Sequence, residues 1–240
     1  MFAVTKIVHQ RRAFTLIELL TVIAIIGILS SILLGSVAYG IMLANRAKCG
    51  SNLRQIGVAV LAYAQDHRGY LPPTTHTTGA QFHRAWVFAL APYLQDVDEI
   101  RISPADPLGQ ERLRAGGTSY IVNNIIFDPK TDPFGQPLAS YNNLNRLRRA
   151  PDVFLAGVIS EQRTGTSAQN DHTHAEGWDA GWSAFIGDIA PNIHRVGSSN
   201  ANRTNGSAPY LFADGHIEFI PAAELKERFD RGENFARPPQ

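Results

Sequence analysis

Between Leu19 and Ala44 the chain runs for 26 residues without a charged side chain, and Glu18 stands immediately before that run. As a helix, such a run reaches about 39 Å, more than the roughly 30 Å of hydrocarbon in a bilayer. It needs lipid or other apolar helices as its solvent. Glu18 sharpens the constraint, because a carboxylate inside a span costs about 2.5 to 3.5 kcal/mol on insertion scales. Three arrangements treat that charge differently. A plain signal anchor leaves it unexplained. A secretory signal peptide, cut after the small-x-small pair Ser36 and Ala38 so that the chain begins at Tyr39, puts it inside the hydrophobic core of the signal. A cut between Ala13 and Phe14 leaves a free amine on Phe14 one helical turn from Glu18. There the helix macrodipole favours the carboxylate, and the ammonium of a neighbouring chain can pair with it, making Glu18 a register device.

The chain has 240 residues, enough for a membrane element with one medium domain, or for two small domains. A net charge of +1 gives no electrostatic footprint for nucleic acid. The leader "MFAVTKIVHQRRA" carries Lys6, Arg11 and Arg12 and no acid, which keeps the N-terminus cytoplasmic and sends the rest across; Arg46 and Lys48 on the far side make the asymmetry small. The organisation expected is a leader over 1–13, a transmembrane and assembly helix over 14–44 and a globular domain over 45–240. A single cysteine, Cys49, excludes an intramolecular disulfide framework.

Beyond the apolar run, Leu53, Ile56, Val60 and Ala64 recur at three- and four-residue intervals, while Arg54, Gln55 and Asp66 fall elsewhere. That is an amphipathic helix, stopped by Gly69, Pro72 and Pro73. One helix over 14–67 would be roughly 80 Å long. Further on, "RAWVFALAPYL" reads as a short helix with Trp86, Leu90 and Leu94 on one face, and "TSYIVNNIIF" as one or two strands. "DVFLAGVIS" reads as a buried strand, and "PYLFADGHIEFI" as a hairpin turning at Asp214 and Gly215, with Leu211, Ile217 and Phe219 alternating around it. "AAELKERF" reads as a closing helix. The fold class expected is α+β: a long N-terminal helix, half transmembrane and half amphipathic, packed on an antiparallel sheet.

For chemistry, "DHTHAEGWDAGW" brings together His172, His174, Glu176 and Asp179, with His194, Asp214 and His216 further on. His-x-His spacing in an extended strand puts two imidazoles on one side, a zinc pair lacking a third ligand. Asp171, Glu176, Asp179 and Asp188, among carbonyl-rich loops, suit calcium better than zinc. No His-Glu-x-x-His or Gly-x-Ser-x-Gly motif occurs, so the chain does not read as an enzyme. Trp178 and Trp182 suit a glycan or peptide contact, or a loop pinned to a core. Asn202 and Asn205, heading glycosylation-like tripeptides, read as loop polarity.

The stretch "AFTLIELLTVIAIIGILSSILL" resembles the N-terminal signal of type IV prepilins and type II secretion pseudopilins. The resemblance implies that a prepilin peptidase cuts before Phe14 and methylates its amine, and that Glu18 serves filament assembly. Ala13 stands where the family usually has glycine; a small residue is kept, so cleavage is expected. "KCGSNLRQIGVAVLAYAQDHRGYLPP" is similar to the region after the span in a bacterial pseudopilin-like family, matching at Cys49, Asn52, Leu53, Gln55, Gly57, Gly69 and Pro72. That family's C-terminal signature is a histidine, a spacer and an Asp-Gly turn. Here it is carried by His194, Asp214 and Gly215, with a polar insert, "RVGSSNANRTNGSAP", that is expected to loop out. Ser103 replaces a cysteine common in relatives, which removes the partner for a family disulfide from Cys49. The resemblance also implies calcium in a loop near the C-terminus, with no ligand set assigned. The partners implied are prepilin peptidase, other pseudopilin or pilin subunits, an inner-membrane assembly platform and the lipid bilayer. The protein would be single-pass in the inner membrane with a periplasmic domain. The competing expectation is a membrane-tethered periplasmic domain that binds a glycan, peptide or ion, and a metal-dependent hydrolase comes third.

Overall fold

The computed structural model describes residues 15–239 apart from 96, 131, 133, 135, 137 and 139. The chain forms two units, Met1–Ile41 and Met42–Gln240. In chain order the α-helices are α1 (Leu16–Asp66), α2 (Thr75–Thr78), α3 (Trp86–Ala89), α4 (Gly109–Arg114), α5 (Asn124–Phe127), α6 (Trp182–Asp188) and α7 (Ala222–Asp230). The strands are β1 (Tyr120–Val122), β2 (Phe154–Val158), β3 (Ser207–Phe212) and β4 (Ile217–Pro221). They form one antiparallel sheet in the order β1-β2-β3-β4. This is the expected α+β architecture, a long N-terminal helix with a four-stranded antiparallel sheet.

In the second unit, α1 buries Leu53, Ile56, Val60 and Ala64, the four residues whose spacing marked an apolar face. That face lies on the hairpin. A Cβ added at Gly57 would sit 2.6 Å from Leu211 Cδ1, and one at Gly50 would sit 2.8 Å from the Phe219 ring. Leu211 pairs with Ile217 and Pro209 with Phe219, so Leu211, Ile217 and Phe219 share the face turned to the helix. Close approach is possible because those two helix positions carry no side chain. α1 ends where Arg68 and Gly69 take positive φ and the Gly69 amide donates to the Ala64 carbonyl at 2.7 Å.

The far side of the sheet is filled by aromatic rings. Trp178 packs edge-on to Phe185, with centroids 4.9 Å apart, and Phe235 lies 4.9 Å from Phe154. A buried ion pair, Arg112 to Asp106 at 2.9 Å, fixes α4, and Arg112 also donates to the carbonyls of Arg163 and Gly165. Each of the three nitrogens of that buried guanidinium thus donates to an oxygen, the condition under which a buried charge is tolerated.

Two local expectations need correction. "TSYIVNNIIF" is one strand, β1, followed by helix α5, because the Asn123 side chain accepts from the Ile125 amide and caps that helix. The same side chain donates to Phe154 O and Ala236 O, tying the turn to β2 and the C-terminal segment. "RAWVFALAPYL" is a single α-turn, α3, and then a 3-10 turn, Ala91–Leu94, opened by Pro92, which cannot supply the amide that would continue an α-helix. Trp86 and Leu90 are buried and Leu94 is half-buried.

Candidate functional site

Ala13 and Phe14 lie outside the described residues. Glu18 is in the first turn of α1, and its surroundings are local. The Thr15 amide and the Thr15 hydroxyl both donate to Glu18 Oε2 at 2.8 Å, and the Glu18 amide donates back to Thr15 Oγ1 at 3.3 Å. This is a capping box, in which a threonine N-cap and an acid three residues on satisfy two otherwise orphaned amides. The sequence reading overlooked it, although the Thr-x-x-Glu spacing was there to be seen.

From Thr15 to Ile41 every residue is exposed, including Leu16, Ile23, Ile28 and Leu34. α1 is long and apolar enough to cross a membrane, and it is the one such helix among the described residues. Thr21, Ser31 and Ser36 return their hydroxyls to carbonyls three or four residues earlier, which satisfies these three within the helix itself.

The C-terminal signature is spread over the two ends of β3. Asp214 and Gly215 make the turn into β4: the His216 amide donates to Asp214 Oδ1 at 3.0 Å and Gly215 has a φ of +87°. At the other end His194 forms a bridge with Ser207, exchanging both backbone bonds. The intervening loop is held by Asn192, which donates to Ser199 and Asn205, and by Arg195 and Arg203 on Glu161. It leaves and returns without altering the β3 register. His194 itself is buried against Phe219, and neither ring nitrogen has a partner among the described residues. Burial, with the Arg46 guanidinium adding to it, pushes this imidazole down to about 4.

The weak metal candidates do not converge. Asp179 is engaged by Asn234 and Arg237, and Glu176 accepts from Asn124 Nδ2 at 2.6 Å. His172 is buried, with Nδ1 2.8 Å from Asp171 Oδ1, while His174 is exposed. The calcium candidates are also taken up internally. Asp171 accepts from the Thr75 amide and hydroxyl, and Asp188 from the His174 amide, Trp178 Nε1 and Arg163. Burial would raise the Asp188 carboxyl, but the His174 and Trp178 hydrogen bonds and the Arg163 charge outweigh it and hold it below the carboxylate range. Among the described residues no group of three or more His, Cys, Asp or Glu side chains is placed to hold a metal ion as the side chains stand. Trp178 and Trp182 serve the core and its rim: Trp178 is buried, and Trp182 Nε1 donates to Asn202 O at 2.7 Å.

Cys49 is a buried free thiol, and the Ser103 hydroxyl lies 3.4 Å from its sulfur. Ser103, the position where the resemblance implies a second cysteine, is thus in contact with the thiol. Burial pushes the Cys49 thiol up, which makes it unreactive.

Comparison with curated proteins and with solved structures gives no match. Two family models do match. Residues 8–34 fit the prokaryotic N-terminal methylation motif, and residues 44–98 fit a protein of unknown function (DUF1559). The first covers the capped start of α1 and most of its exposed half, and the second covers the half that packs on the hairpin. Together the two matches support a prepilin-like reading of residues 8–34 and 44–98.

Proposed function

We propose that the chain is a pseudopilin or minor pilin. A prepilin peptidase cuts it between Ala13 and Phe14 and methylates the new amine. It is held in the inner membrane with its N-terminus cytoplasmic and residues 45–240 periplasmic, and it is polymerised through α1 into a type II secretion pseudopilus or a type IV pilus-like filament. The role is structural and not catalytic. The observation that supports this most is the coincidence of the methylation motif, residues 8–34, with a helix whose residues 15–41 are all exposed and whose first turn carries Glu18. Lipid solvates that surface in the monomer and neighbouring helices solvate it in the filament, so the exposed apolar area is a requirement of the assembly.

Mass spectrometry of the mature N-terminus from native membranes tests the reading. N-methylated Phe14 is the expected result. A chain beginning at Met1 or at Tyr39 overturns it and leaves an anchored or secreted domain.

A further inference from the structure

Many cations of the second unit are held by carboxylates: Arg112 by Asp106, Arg163 by Asp188, Arg195 by Glu161 and Arg228 by Glu224. The stretch just past the apolar run differs. Residues 45–54 hold three cations, Arg46, Lys48 and Arg54, and no acid. None of the three has a carboxylate partner among the described residues. The Arg46 guanidinium carbon lies 4.4 Å over the centre of the Phe219 ring, and Lys48 is exposed. That ring is a fixed platform: a Cβ added at Gly50 would lie 2.8 Å from it, and the His194 ring packs against it at 6.1 Å.

We propose that Arg46 and Lys48 each hold the phosphate of an anionic phospholipid at the end of the span, with phosphatidylglycerol the lipid whose headgroup the surroundings fit. The proposal rests on reading α1 as membrane-spanning. α1 runs unbroken from Leu16 to Asp66, and its uncharged run ends at Ala44. A run of about 39 Å meets about 30 Å of hydrocarbon by tilting, which brings its end to the lipid boundary. At 1.5 Å per residue, Arg46 and Lys48 stand about 3 and 6 Å along the helix from that end, within the headgroup layer. Helical side chains lean toward the N-terminus, so both reach back toward the lipid. Residues two apart on a helix do not face each other, so each cation meets its own phosphate. In the orientation proposed above, cations at this end oppose the positive-inside preference, and bound phosphates neutralise them.

The two sides of the helix recognise the lipid differently. On the Phe219 side, the cation–π contact engages the charge of Arg46 without using its N–H donors, which have no partner among the described residues. Those donors are left for the paired oxygens of a phosphate. On the other side, Lys48 stands between two clefts. The larger, about 460 Å³, is lined by Arg54, Gln55 and Gln95 together with apolar side chains such as Val58 and Leu94; the smaller, about 190 Å³, takes in Asn52, Gln110 and Glu99. Glu99 repels a phosphate from the smaller cleft, so the headgroup enters the larger one. There the amides of Gln55 and Gln95 can bond the hydroxyls of glycerol, and Arg54 adds to the positive field. A choline headgroup has no hydroxyl for those amides and brings a second cation toward Lys48 and Arg54.

The test places the full chain in nanodiscs of phosphatidylcholine alone and of phosphatidylcholine and phosphatidylglycerol in equal parts, with native mass spectrometry counting the lipids retained. The wild-type chain should keep two phosphatidylglycerols, Arg46→Gln and Lys48→Gln one each, and the double variant none. Arg146→Gln, at an exposed cation in the loop that meets the other end of α1 at Gly69, should keep both. Arg46→Gln removes a packed side chain, so Lys48→Gln, at an exposed site, carries the test if circular dichroism shows the first variant misfolded. Inorganic phosphate should displace the lipids no better than chloride at equal ionic strength; displacement by phosphate alone makes this a soluble-anion site and overturns the lipid assignment. The proposal also fails if the double variant retains as much phosphatidylglycerol as the wild type, or if Arg146→Gln loses as much as Lys48→Gln. A chain that enters neither kind of nanodisc overturns the membrane reading itself, whereas one that enters both and retains no phosphatidylglycerol overturns the headgroup contact alone.

Discussion

From Leu16 to Ile41, α1 exposes every residue it has; from Cys49 to Ala64 the same helix buries nine. Both stretches are apolar and helical, yet they are built for different solvents. The first is hydrophobic all round, as a helix must be when lipid or other helices surround it. The second alternates, with Leu53, Ile56 and Val60 buried and Arg54, Gln55 and Val58 exposed, as a helix must when one side meets a sheet and the other meets water. The glycines show the same contrast. A Cβ at Gly27, Gly35 or Gly40 would meet nothing within 4 Å, while one at Gly50 or Gly57 would strike a side chain of the hairpin. What the surroundings are, more than how apolar the residues are, decides what each position tolerates.

The contrast can be broken most severely at Glu18. In Glu18→Ala the chain should still insert in membranes but disappear from sheared filament fractions, as judged by immunoblot, because the filament proposal makes this carboxylate the ionic partner of a neighbouring subunit. Next in size, Leu53→Ala should lower the unfolding free energy of the second unit by about 3 kcal/mol, the usual cost of emptying a buried leucine site. Leu29→Ala, in the exposed half, should leave the same denaturant midpoint unchanged. A smaller effect sits at His194. Its folded value, about 4, lies below the ordinary 6.5, so the fold favours the neutral ring. That stabilisation is complete above pH 6.5 and is lost as pH falls from there through about 4. It should amount to about 2 kcal/mol after allowance for screening, and His194→Gln should flatten the acid limb of the melting profile. Smallest is the glycine pair. Gly57→Ala should cost about 1 kcal/mol by crowding Leu211, whereas Gly27→Ala should be neutral or slightly favourable through helix propensity.

Much of this was written locally in the chain. The uncharged run and the Leu53, Ile56, Val60, Ala64 spacing give the extent and the buried face of α1, and Asp214-Gly215 gives the hairpin and hence the β3–β4 register. The family resemblance placed Ser103 opposite Cys49, and the two are in contact. Other features had no local signal. "NNIIF" has the composition of a strand, and only the capping bond of Asn123 turns it into α5. Of the metal candidates offered with His172 and His174, Glu176 and Asp179 turn to other partners. The neighbour that His172 does have, His76, is brought there by α2 from far away in sequence, and no periodicity encodes that meeting.

The capping box at the start of α1 changes the chemistry that a filament contact at Glu18 would involve. The carboxylate is not a bare charge waiting for a counter-ion, since the amide and hydroxyl of Thr15 already donate to Oε2. Thr15 lies on the mature side of the Ala13–Phe14 bond, so cleavage there leaves both donors with the subunit. Under the filament proposal, recruitment is a partner exchange, in which an incoming ammonium displaces or joins the Thr15 donors, which the subunit restores when it is released.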